Sequence, residues 1–169
     1  MRRIASLALA LALGGALSAP AAFAEDKGRA ELAKALTGAK VSLEKALAAS
    51  EREGQPISAK FEMEEGKLQL SVYTAKADKF SEVIIDHKSG KVAKTEPITA
   101  GEDLTAAKLQ SAAMPKANES LRKAVSKAVH ANKGYRAVSV YPSLKDGQSV
   151  AEVTLVKGDD WKTVTEKLL

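Results

Sequence analysis

The chain has 169 residues, 45% of them hydrophobic and 28% charged, with a formal net charge of +5 and no cysteine. That length allows one ordinary domain or two very small ones. The missing cysteines exclude disulfides and thiol chemistry, and a mild charge without a Lys/Arg block gives no electrostatic footprint for nucleic acid.

Arg2 and Arg3 precede an apolar run from Ile4 to Ser18, and Ala22-Phe23-Ala24 supplies a small-residue cleavage signal before Glu25. Together they predict a secretory signal peptide over residues 1–24, cleaved between Ala24 and Glu25. The run is shorter than the roughly 20 apolar residues a spanning helix needs, and no second run follows. The mature chain is therefore expected to be periplasmic or secreted and without a membrane span.

A short helix is expected near Arg29–Leu36. Ser42 then offers an N-cap for a helix whose Leu43, Ala46, Leu47 and Ser50 share one face, stopping by Gly54. The period changes to two: Ile57, Ala59, Phe61 and Met63 alternate with polar residues, Glu65-Gly66 turns the chain, and Leu68, Leu70 and Val72 alternate in a second strand. Phe80–Ile85 reads as a third, more apolar strand. Pro97 to Asp103 reads as a linker, and a second short helix is expected near Leu104–Ala113.

The same order then recurs. Ser120-Leu121-Arg122-Lys123-Ala124-Val125 echoes Ser42-Leu43-Glu44-Lys45-Ala46-Leu47, and Asp146-Gly147 echoes Glu65-Gly66. Trp161 stands where Phe80 stood, 81 positions on. Asn118 or Ser120 caps a helix ending near Gly134, followed by strands at Ala137–Tyr141, Val150–Val156 and Trp161–Thr165. Internal repetition of this kind marks tandem structural units. The expected fold class is α+β: two units, residues 25–96 and 104–169 joined by the linker 97–103, each a helix on a small antiparallel three-stranded sheet.

Few residues suggest chemistry. His87 and His130 lie far apart in the sequence without cysteine partners, which argues against a zinc site, and no nucleophile, phosphate-loop or metalloprotease motif is present. No enzyme, metal or cofactor is expected. Glu62, Glu64 and Glu65 read as a solvated face. Tyr135 and Tyr141 flank one strand and are the candidates for an aromatic contact patch, with core packing the favoured role.

The stretch Asp86-His87-Lys88-Ser89-Gly90-Lys91-Val92 ends the third strand. Asp86 can accept hydrogen bonds from the following backbone, Gly90 can take a left-handed conformation, and Lys91-Val92 can start a return strand. A helix opening with Ser42, Leu43, Ala46 and Ala49, a strand–turn–strand, and this Asp86, Gly90, Lys91, Val92 ending resemble the PepSY domain. Val41–Val92 carries the resemblance; Asn118–Leu169 is a weaker copy, with Lys167-Leu168-Leu169 where the signature would begin. The resemblance implies a non-catalytic binding module like the inhibitory pro-regions of secreted metallopeptidases, with a peptidase as protein partner. A carrier of small apolar ligands and a structural or sensory envelope protein docking to a membrane partner are the alternatives.

Overall fold

The computed structural model describes residues 19–114 and 120–168, with side chains from residue 27 onward. Four helices and seven strands follow in the order α1 (Ala19–Leu36), α2 (Leu43–Ser50), β1 (Gln55–Glu64), β2 (Lys67–Lys76), β3 (Lys79–Ile85), β4 (Val92–Ile98), α3 (Gly101–Ala113), α4 (Leu121–Ala131), β5 (Arg136–Lys145), β6 (Gln148–Lys157) and β7 (Asp160–Lys167). The signal segment lies mostly outside the described residues. The backbone at Ala24 and Glu25 belongs to α1, which begins upstream of the expected Arg29.

The helix starts follow from their caps. Ser42 Oγ accepts from Lys45 N and Ser120 Oγ from Lys123 N, each at 3.3 Å, which satisfies one of the free amides every helix start presents. The expected α2 face is the buried one: Leu43, Ala46, Leu47 and Ser50. Gly54 follows a few residues later because a Cβ there would lie 2.8 Å from the carbonyl oxygen of Ala75. The hairpins at Glu65-Gly66 and Asp146-Gly147 have positive φ at both residues, the geometry whose twist matches antiparallel strands.

All strands join one antiparallel sheet in the order β4-β3-β2-β1-β5-β6-β7. This corrects the expectation of a small three-stranded sheet in each unit. The return strand after Gly90 is β4, which makes the first half four-stranded, and β1 pairs with β5 to fuse the halves. The expected linker is also corrected: Pro97 and Ile98 complete β4, paired with Ser81 and Phe80, and α3 begins at Gly101. Pro97, expected to open a linker, instead occupies an edge strand, where its missing amide costs little.

The central seam is short, with Ala59 opposite Val140 and Lys60 opposite Ser139. Register shifts flank it, at Pro56/Ser58 in β1 and Ala137/Ser139 in β5. Other contacts hold it. Helices α2 and α4 pack on each other and on the apolar face, α2 on β1–β3 and α4 on β5–β7, while both reach across the seam. Ala59, Leu70, Val72, Val83, Val140, Ala151, Val153 and Leu155 fill that face and are buried; each large aliphatic side chain there contributes about 1.5–3 kcal/mol on transfer from water. Helix α3 bridges β2, β1 and β5, fixed by Ser58 Oγ donating to Gln110 Oε1 and Ser149 Oγ donating to the carbonyl of Ala113, both at 2.7 Å.

Candidate interaction site

The signature turn is a structural lock. Asp86 Oδ1 accepts from the amides of Lys88 (3.0 Å) and Ser89 (2.6 Å), and the Gly90 amide donates to the Asp86 carbonyl at 2.8 Å with φ +77°. The Ser89 and Lys88 bonds favour the ionised carboxylate and hold the Asp86 pKa below its ordinary value. The carbonyl of His87 accepts from the amides of Lys40 and Val41 (2.9 and 3.1 Å), docking the turn on the α1–α2 connection. Val92 opens β4, and the Asp86 amide donates to the Lys91 carbonyl at 2.9 Å. The four signature residues thus come together, and what they shape is a turn.

Arg136, which no sequence motif singles out, grips the same connection from the other half of the chain. Its guanidinium donates to the carbonyls of Leu36 (2.9 Å), Ala39 (3.1 Å) and Val41 (2.6 Å) and lies 5.0 Å from the centre of the Phe61 ring. A planar fork can serve several carbonyls at once, as an ammonium cannot.

The side of the sheet under α3 is polar. Strand pairing sets Lys60 beside Ser71, Glu62 beside Gln69, and Tyr73 beside both Ser58 and Glu82. Gln69 Nε2 donates to Ser71 Oγ (3.0 Å) and Glu82 Oε1 (3.4 Å), Ser71 Oγ donates to Glu62 Oε1 (3.5 Å), and Lys60 Nζ lies 2.6 Å from Glu62 Oε2 and 5.7 Å from the Tyr73 ring centre. Glu62 therefore sits in a half-buried network and not on the fully solvated face expected of it. Burial pushes the Glu82 carboxyl up, against the opposing pull of the Ser71 hydroxyl. Burial, then the charge of Glu82, pushes the Tyr73 phenol far above its ordinary value. Tyr141 joins this face and is shifted upward by burial and then by Glu62. The sequence signal that could have found the network is the polar alternation of β1 and β2 itself, since a solvated face and one under a helix read alike.

The other tyrosine candidate lies elsewhere. Tyr135 precedes β5; its phenol donates to Asp160, which holds its pKa above the ordinary value, and Lys162 Nζ stands 3.8 Å from its ring centre. The two tyrosines do not form one patch. Among the described residues no group of His, Asp and Glu is arranged to hold a metal, and no helix is long and apolar enough to cross a membrane.

The sequence profile of the family described as "Peptidase propeptide and YPEB domain", PepSY, matches residues 40–96, about a third of the chain. No curated protein matches the chain significantly. Among solved structures, a lipoprotein candidate from Clostridium difficile 630 is similar at 10% identity and a TM-score of 0.40, over 70% of this chain and 78% of that one; at that score it carries no weight here. The matched segment runs from the α1–α2 connection through α2 and β1–β3 and into β4, and over it the chain is similar to the PepSY family.

Proposed function

We propose that the protein is a non-catalytic binding module of the cell envelope that restrains a peptidase. The observation that carries this reading is the PepSY match over residues 40–96, a family described by its peptidase propeptides. The cleavable segment 1–24 would deliver the chain to the compartment where such peptidases act. The polar face of β1–β3 is the surface we favour for the contact: it lies within the matched residues and holds a half-buried carboxylate with a raised pKa, a feature that concentrates at functional sites. Tyr141 borders this surface and would extend it; Tyr135 is a separate, weaker contact candidate.

We further infer that residues 104–169 are a second copy of the same unit. Shifting by 81 positions superposes the register breaks Pro56/Ser58 and Ala137/Ser139, the turns Glu65-Gly66 and Asp146-Gly147, and the positive-φ residues Ala77 and Gly158.

The test is capture from an envelope extract on the immobilised protein, followed by titration of each captured peptidase. Recovery of a peptidase whose activity falls stoichiometrically, and whose capture is lost with Glu82→Arg in a protein of unchanged circular dichroism, is the expected result. Capture of no peptidase, or of one that keeps full activity at saturation, would overturn the proposal.

A further inference from the structure

The two ends of the sheet differ. At one end β4 carries Pro97, which has no amide to offer, and its pairing with β3 contains a register shift at Ile84/Ile85. Both features blunt an edge against further strands. At the other end β7 contains no Pro, pairs with β6 without a register shift from Asp160 to Lys167, and centres on the β-branched Thr163, Val164 and Thr165.

The register fixes which backbone groups of β7 remain unpaired. Lys157 and Asp160 flank the two-residue turn Gly158-Asp159, so they form a hydrogen-bonded pair, and bonding to β6 alternates from there. The Leu168 amide donates to Ser149 at 3.0 Å, in phase with that alternation. The amides and carbonyls of Trp161, Thr163, Thr165 and Lys167 therefore point away from the sheet.

We propose that this edge pairs with β7 of a second copy of the chain, antiparallel about a two-fold axis at Val164. The side chains select that occupant and that register. Facing residues of an antiparallel pair share a face of the sheet, and the face carrying Lys162, Val164 and Glu166 is self-complementary under the two-fold. Lys162 meets the second copy's Glu166, Val164 meets its own equivalent, and Glu166 meets Lys162. On the other face Thr163 meets Thr165, and Trp161 meets Lys167. Moving the axis to Thr163 would set Asp160 against Glu166, and moving it to Lys162 would set two ammonium groups together. In the Val164 register the outward groups of odd-numbered residues pair with one another, which forms about eight backbone bonds and extends the sheet without interruption. Such an interface is isologous, the commonest arrangement of soluble dimers.

The test is sedimentation of the protein over a wide concentration range, with Lys162→Glu, Glu166→Lys, the double exchange, and Thr163→Pro, which removes an outward amide while leaving the β6 ladder intact. The wild type is expected to dimerise. Each single reversal should weaken the dimer about tenfold or more, the double exchange should restore it, and Thr163→Pro should yield folded monomer. Amide exchange at Thr163 and Thr165 that slows with rising protein concentration gives an independent reading should a variant fail to fold. A wild type monomeric throughout with those amides unprotected, or a dimer indifferent to the single reversals, would overturn the proposal.

Discussion

Gly90 and Ala77 both adopt positive φ, +77° and +53°, and only one is the residue that conformation prefers. A Cβ at position 90 would lie 3.5 Å from a Val41 methyl, an ordinary contact, so the cost of Gly90→Ala is conformational. It should lower stability by about 1–2 kcal/mol, read as a shifted urea midpoint. Ala77→Gly should do the reverse and raise stability by about 0.5–1 kcal/mol, relieving strain that Gly158 avoids at the corresponding turn. Arg136→Ala strips three carbonyls of their donor and should cost about 2–3 kcal/mol. Arg136→Lys should recover only a minor part, because an ammonium cannot span the same acceptors; equilibrium unfolding of both variants checks this.

Elements decide the pH behaviour. Glu82 lies on β3 with its folded-state pKa raised by burial. Such a group contributes stability that is fully present below its unfolded pKa of about 4.3 and is lost as pH rises through the folded value. Glu82→Gln is therefore expected to gain stability relative to wild type as pH rises from 4 toward neutrality. A difference between the two midpoints that stays constant with pH would show that Glu82 does not titrate in this way. A similar burial keeps Glu62 of β1 off the solvated face that its sequence pattern suggests. Alternation of polar and apolar residues records which side of a strand faces the main core, but a helix laid across the polar side leaves no trace in that alternation. Helix α3 has little amphipathic pattern of its own: Leu104 and Ala107 pack inward while Leu109 is exposed.

At the scale of the whole molecule, local features were legible and long-range ones were not. The caps Ser42 and Ser120, the hairpins and the Asp86–Gly90 turn depend on residues a few positions apart, and the residue types at those positions specify them. The β1–β5 pairing depends on strands some eighty positions apart, and no residue type announces it. Pro97 illustrates the gap: it reads as a linker when taken locally and becomes an edge-strand residue only once β3 is beside it. The Arg136 clamp was hidden for the same reason, because its acceptors are backbone carbonyls about a hundred positions away.

A seam joined by α2, α3, α4 and Arg136 makes the two halves one cooperative unit. Trp161 lies in the second half, while Leu47 is fully buried in α2 of the first. Truncating such a leucine costs about 2–5 kcal/mol. The decisive measurement is urea unfolding of Leu47→Ala followed by Trp161 fluorescence. A single transition, shifted by the full destabilisation and coincident with far-ultraviolet circular dichroism, is predicted; a Trp161 transition left at its wild-type midpoint would contradict the single sheet.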